Sequence, residues 1–501
     1  LNFMKFIHDY LKHDERLYRH TLPTPLDNPK LVSLNAQLID QLGLSSLDAT
    51  AWTDIISGRL SPLTQIAPHK IQPIAMAYAG HQFGQWAGQL GDGRGVLIAQ
   101  LHNKKTGKLI DLHLKGAGLT SYSRRGDGRA MLASCIREYL GGHALNGLMI
   151  ASSDAIGLVV SDTHIQRRHI EKAAALLRVS DCHVRLGHFE WVAMYAADYF
   201  ETFVIKIIQS YYLHLYDTHQ NTANISQLLH EIAANTARMI AKWQLIGFCH
   251  GVMNTDNLNI TGTTLDFGPF AFMEGFNPTW INNHSDHTGR YVYQNQPTIG
   301  HWNLAVVYHH FKRLVNQDGI DDALMTYQEV FENTYHHGLC QKLGIKPSHQ
   351  AIQLGYRLLM LMQNERLDYT NTFRALIAVA DHGENRTQFT HEYTLLANLT
   401  NILSATSYDI WQNWVNDYLD CLKQQSTKQT AIKTLQQTNP IYILRNHMAE
   451  RAIVSAHQGD FDEVARLFAL LDNPYQQQTI ATVDDTRMAF ANEAVAVSCL
   501  S

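Results

Sequence analysis

Glycine, lysine and carboxylate residues are spaced along this chain in ways that suit phosphate and metal chemistry. The run Gly88-Gln89-Leu90-Gly91-Asp92-Gly93-Arg94-Gly95 precedes a predicted strand. Glycines such as Gly91 and Gly93 let a backbone approach a polyphosphate and turn N–H groups toward its oxygens, and Arg94 could add charge-assisted contacts. The same run also suits an ordinary hairpin turn. Lys115 closes the apolar run Leu112-His113-Leu114. It could reach a phosphate there, or simply extend from a strand end to water. Glu138 lies seven residues after Met131 on a predicted helix, flanks its apolar stripe and faces inward, where it can meet Lys115.

The segment His250-Gly251-Val252-Met253-Asn254-Thr255-Asp256-Asn257, followed by Thr264-Leu265-Asp266-Phe267-Gly268, is the most specific. It follows the H-G-D-x-x-x-x-N…D-x-G scheme of kinase catalytic loops, in which the Asn and the later Asp hold the metal. Those positions are Asn257 and Asp266, whose oxygens are hard donors for Mg²⁺ or Mn²⁺. A strand lysine with a helix glutamate, as in Lys115 and Glu138, orients phosphates in the same folds. The catalytic aspartate position, however, is Val252, and valine cannot take a proton. Asp256 could do so in its place; it could equally be an Asx-turn residue that only shapes the loop.

Other candidates for chemistry are weaker. The pairs His309-His310 and His336-His337 lack the spacing of a ligand set, and His284-Ser285-Asp286-His287 has no identifiable remote ligand. Six cysteines are scattered without a CxxC pair, which is neither a disulfide framework nor a zinc knuckle.

These residues must be held by a chain of 501 residues, 45% hydrophobic and 17% charged, which at ~100–200 residues per domain implies two to four units. A net charge of −5 without a basic stripe argues against nucleic acid as partner. No apolar run approaches the ~20 residues of a membrane span, and the first twenty residues lack the apolar core of a signal peptide. The expectation is a soluble, cytoplasmic protein. Val96–Leu101 and Ile110–Leu114 read as hairpin strands, 129–145 as an amphipathic helix, Leu228–Trp243 as a buried helix and 345–425 as stacked helices. A sheet-rich first part and a helical second part suggest two lobes around a cleft, a common nucleotide site.

The motifs together resemble the selenoprotein O family of protein adenylyltransferases, the YdiU-type proteins of bacteria. The matching stretches are YAGHQFGQWAGQLGDGRG (78–95), LKGAGLTSYSRRGDGRA (114–130), HGVMNTDN (250–257), LDFGPF (265–270), NHSDHTGRY (283–291), NQPTIGHWNL (295–304), NPIYILRN (439–446) and the terminal SCLS. They cover the chain from about 78 to its end. The resemblance implies an α+β, two-lobed, protein-kinase-like fold with an N-terminal extension over 1–75, an N-lobe over 76–200, a C-lobe over 201–345 and a helical C-terminal extension and tail over 346–501. It further implies that ATP binds in a flipped orientation and that AMP passes to Ser, Thr or Tyr hydroxyls of proteins with release of pyrophosphate; some relatives are associated with UMP transfer from UTP.

Carried over by motif, the resemblance makes Gly91, Gly93, Arg94, Lys115, Asp127, Gly128, Arg178 and Arg185 nucleotide-binding residues. Asn257 and Asp266 become the ligands of Mg²⁺ or Mn²⁺, and Asp256 the proton acceptor. The alternatives are a small-molecule kinase of the aminoglycoside-phosphotransferase type, which Val252 disfavours, and a non-catalytic nucleotide-binding scaffold. One departure concerns redox control. Relatives often carry a cysteine just before the NHSD motif that pairs with a near-terminal one. Here that position is Asn282, so no such bridge from Cys499 is expected, the other cysteines being placed on helices or in the first lobe.

Overall fold

The computed structural model describes all residues except 1–5, 68–70, 104–105, 168–169, 221, 383–385, 494, 496 and 499–501. Among the described residues, nine strands form one sheet. Its main path runs Tyr18–His20, Ile74–Met76, Gly95–His102, Leu109–Lys115, Ile170–Ser180, Asp154–Gln166 and Lys30–Leu34. All its pairings are antiparallel. The chain is thus α+β, with a mostly antiparallel sheet and a predominantly helical second part.

Alternation along the central strands sorts their apolar residues onto two covered faces. Leu97, Leu158, Ala174 and Leu176 pack with Ile136, Leu140 and Leu145 of the helix Leu132–Gly147. Val96, Ile98, Leu114, Ile156 and Leu177 pack on the other face with Trp52, Ile55 and Ile56 of the helix Ala49–Ile56. The first 75 residues therefore cover one face of the sheet and supply both ends of its main path. The helix expected over 129–145 begins at Leu132, because Ala130–Met131 first pair with Ala173 and Ala174 as a short strand.

The helical part has two layers. Ile225–Leu245 packs along Gln317–Lys342, each begun by an asparagine side chain that accepts from an amide of the first turn: Asn224 from Gln227, Asn316 from Gly319. Beyond them, His349–Glu365, Tyr369–Asp381, Thr390–Ile402 and Ala405–Gln425 enclose a second core, in which Trp411, Trp414 and Tyr418 stack at 5.4 and 5.0 Å. Asn446–His457 and Asp462–Asp472 return to the first part, where Phe468 stacks on Tyr139. No helix among the described residues is long and apolar enough to cross a membrane.

Lys342 ends its helix fully buried, its Nζ 3.1 Å from Asn439 Oδ1 and 4.2 Å from the Phe373 ring centroid. Burial pushes its pKa down to about 7. Above that pH the unfolded chain holds a proton that the folded one has lost, so this residue's contribution to stability rises from pH 7 to about 10 and is flat below. Urea unfolding at pH 7 and pH 9 should show the stability difference between wild type and Lys342→Met shifting by about 2 kcal/mol. Parallel pH profiles would contradict this.

Candidate active site

Strand register explains how the cationic wall of the site forms. His113 pairs with Arg178 and Lys115 with Leu176, so Lys115 and Arg178 emerge on the sheet face covered by Leu132–Gly147. Glu138 of that helix meets both. Lys115 Nζ lies 2.5 Å from Glu138 Oε2, Arg178 Nη2 lies 3.0 Å from the same oxygen, and Arg178 Nε bonds Oε1. Burial alone would raise the Glu138 pKa, but the Arg178 and Lys115 charges override it and hold it at about 2. Glu138 is therefore a fixed anion that holds two cations in place.

Above this wall lies a cavity of about 350 Å³, with seven Arg or Lys side chains and three Asp among its lining residues. Gly91, Gly93, Arg94, Lys115, Asp127, Gly128, Arg178, Arg185 and Asp266 all line it. Gly91 has φ +145°, and a Cβ there would sit 2.4 Å from the Tyr122 ring, so only glycine fits this turn. Asp92 anchors the turn by accepting the Met76 amide at 3.0 Å, beside the buried His113. Arg94 is exposed at the mouth. Asp127 is already engaged: Arg167 binds both its oxygens at 2.7 and 2.9 Å, and the Arg129 amide donates to it as well. Its carboxylate shapes the loop, while Gly128 accepts from Gly118 N across the same turn.

The opposite wall comes from the two downstream motifs. Buried His250 bonds the Leu265 carbonyl through Nε2 at 2.9 Å, tying the first motif to the second. Asp266 follows with φ +69°, a left-handed conformation uncommon outside glycine. Arg185 Nη1 contacts Asp266 Oδ2 at 2.8 Å, and Arg178 Nη2 contacts Oδ1 at 3.3 Å. Burial opposes its charge, yet Arg185 and Arg178 hold the Asp266 carboxyl well below the usual carboxylate range. Arg185, whose guanidinium lies over the Tyr78 ring, also donates to the Asp256 carbonyl at 2.7 Å. Asn257 donates its amide nitrogen to the Val252 carbonyl at 3.0 Å, so its side-chain oxygen is the atom that could meet a cation.

Asp256 lies outside the lining of the cavity, yet its carbonyl is joined to Asp266 through Arg185. The side chain is buried, with Oδ2 accepting from Gln82 Nε2 at 3.0 Å and Oδ1 without a hydrogen-bond partner among the described residues. Burial pushes its pKa up to about 7, only partly offset by the Gln82 hydrogen bond. Val252 is itself buried, so the usual aspartate position of such loops is filled by an apolar group.

Asp266 lines the cationic cavity while Asn257 lies outside its lining; as hard oxygen donors, the two side chains are of the type that suits a divalent ion taking its remaining ligands from phosphate and water. Among the described residues no group of three or more His, Cys, Asp or Glu side chains could hold an ion. His284 and His287 are exposed, while Asp286 is buried and accepts the amides of Arg290 and Tyr291.

Asn282 is buried, with its amide nitrogen bonded to the carbonyls of Cys249 and Pro269 and its oxygen 3.0 Å from Cys249 Sγ. Cys249 thus sits on a short strand, Phe248–Cys249, against Asn282, and not on a helix. The five described cysteines are free; Cys499 lies outside the described residues.

Sequence reasoning missed the hairpin Ala79–Gln82/Gln85–Gln89, which closes over the downstream loop and supplies Gln82, and the buried Glu190 beneath it. The glycines and glutamines of 79–89 carry no apolar period that would mark a strand pair.

The family model described as Protein adenylyltransferase SelO matches residues 3–472. The match thus includes residues 3–75, which the motif-based resemblance left out. A protein nucleotidyltransferase YdiU of Aliivibrio salmonicida is 38% identical over 465 residues, covering 92% of this chain and 91% of that protein. Proteins of the same name from Vibrio vulnificus and Pseudomonas fluorescens are each 37% identical, over 486 and 484 residues, covering 94–95% of this chain and 94% of each of them.

Proposed function

From the premise that the chain belongs to the SelO family of protein adenylyltransferases and is a nucleotidyltransferase, we propose that it transfers AMP from ATP to Ser, Thr or Tyr hydroxyls of proteins in the cytoplasm, on a two-lobed kinase-like scaffold. Asp256 carries most of this reading. Its buried Oδ1 has no hydrogen-bond partner among the described residues, and it lies four residues beyond Val252, which cannot take a proton.

In the proposed step the acceptor oxygen attacks the α-phosphorus and its proton passes to Asp256 Oδ1. The bond from the α-phosphorus to the oxygen bridging to the β-phosphorus breaks, and pyrophosphate leaves with that electron pair. Charge builds on the departing group, and Arg94, Lys115, Arg178 and Arg185 are the fixed cations that meet it. Glu138 keeps Lys115 and Arg178 from turning away. Gly91 and Gly93 bring backbone to the phosphates, with Asp127 and Gly128 holding the adjoining loop in shape. Asn257 and Asp266 would hold Mg²⁺ or Mn²⁺, whose charge would further neutralise the phosphates.

Metal removal tests that last assignment. Excess EDTA should reduce transfer of label from α-labelled ATP to background, and Mg²⁺ or Mn²⁺ in excess over EDTA should restore it. An undiminished rate in EDTA would rule out the role given to Asn257 and Asp266. Labelled UTP in the same assay separates AMP from UMP transfer.

A further inference from the structure

We propose that the hairpin 79–89 is the positioning clamp of the proton acceptor, with Gln82 as its working side chain and Gly80 as the space that admits the carboxylate. This rests on the reading of Asp256 given above. The hairpin binds three successive residues of the downstream loop. Phe83 N donates to Asn254 Oδ1 at 3.2 Å, His81 N to Thr255 Oγ1 at 2.8 Å, and Gln82 Nε2 to Asp256 Oδ2 at 3.0 Å. Two further ties fix the same unit. The Tyr291 hydroxyl donates to Asn254 Oδ1 and accepts from Phe83 N, while Glu190, fully buried, joins His81 Nδ1 at 2.6 Å to the Thr255 hydroxyl.

This arrangement treats the two carboxylate oxygens of Asp256 differently. Oδ2 is held by an uncharged amide, which fixes its direction without supplying a compensating charge. Oδ1 is buried with no partner among the described residues. Leaving a buried carboxylate oxygen unpaired is costly, so its persistence points to a group that arrives during the reaction. Gly80 backs this oxygen: a Cβ there would lie 2.7 Å from Oδ1 and 3.0 Å from Asp256 Cβ. Even alanine would push the carboxylate from its place. In extended backbone residues 80 and 82 share one side and 81 the other. That alternation lets the hairpin grip Asp256 with one face while His81, on the other, is anchored to Glu190.

A positioning residue should lower the rate of the chemical step while leaving ATP binding alone, and should act only through Asp256. The test compares wild type, Gln82→Met, Gly80→Ala, Asp256→Asn and the double variant Gln82→Met/Asp256→Asn. Casein and the chain's own hydroxyls serve as acceptors for α-labelled ATP, with ATP affinity by calorimetry and melting temperature measured alongside. Gln82→Met should lose ~10–100-fold in kcat, since small misplacements of a reacting group cost that much, with its ATP Kd and KM within about twofold of wild type. Gly80→Ala should behave alike, and Gln82→Met, a near-isosteric change, stands if it misfolds. The double variant should be no slower than Asp256→Asn alone.

A Gln82→Met enzyme with wild-type kcat, or one whose ATP affinity or melting temperature falls in step with its rate, overturns the clamp. So does a double variant slower than Asp256→Asn. If Asp256→Asn itself transfers label at the wild-type rate, the proton-acceptor reading beneath the clamp is what fails. Should wild type label neither acceptor, the proposed function and the clamp fall together.

Discussion

Replacing Asp266 should lower transfer by ~10³-fold or more. Its carboxylate performs two tasks at once. It draws together Arg185 and Arg178, and it offers a hard oxygen to the cation proposed to bind there. Asp266→Asn is the sharper variant, because asparagine tolerates the φ of +69° and preserves volume while removing the charge. Alanine would add backbone strain of about 1 kcal/mol to the loss. The fold should survive, since Arg178 keeps Glu138 and Arg185 keeps the Asp256 carbonyl and the Tyr78 ring. Single-turnover transfer and a melting curve check this together. Asp266→Asn turning over normally at unchanged metal concentration would remove it from the site.

Lys115→Met and Asp256→Ala should both be nearly inactive, for different reasons that calorimetry separates. Loss of Lys115 removes one of the fixed cations and leaves Glu138 to Arg178 alone, so ATP affinity should fall by ~10–100-fold, as for a lost charged hydrogen bond. Loss of Asp256 should spare ATP affinity within a few-fold and reduce transfer by ~10²–10⁴-fold, the range for a general base. If Asp256→Ala bound no nucleotide while Lys115→Met bound normally, the two roles would have been exchanged.

Much of the site was legible because its chemistry depends on local spacing. The glycine run, Lys115, Glu138 and the motif pair at 250 and 264 need only strand and helix periodicity to be placed. Arg178 and Arg185 were different. Arg178 reaches the site through antiparallel register with His113, a long-range pairing that its own neighbours do not encode. The strands Asp154–Gln166 and Ile170–Ser180 are buried on both faces along much of their length, so they lack the polar-apolar alternation that marks a half-exposed strand. The first 75 residues read as an add-on because their strands are two to five residues long, yet they complete the sheet. Asp127 was legible as part of a loop motif, but its engagement by Arg167, forty residues away, was not.

Val252 separates the proposed reaction from an ordinary kinase's, and the fate of the two ends of ATP is where that difference becomes visible. The decisive measurement offers the protein ATP labelled at the α-phosphate or at the γ-phosphate, with Mg²⁺ and casein, and counts label bound to protein after denaturation. Nucleotidyl transfer predicts retention from the α position alone, with the γ label recovered in pyrophosphate. Retention from the γ position alone would contradict the account and make this chain a kinase.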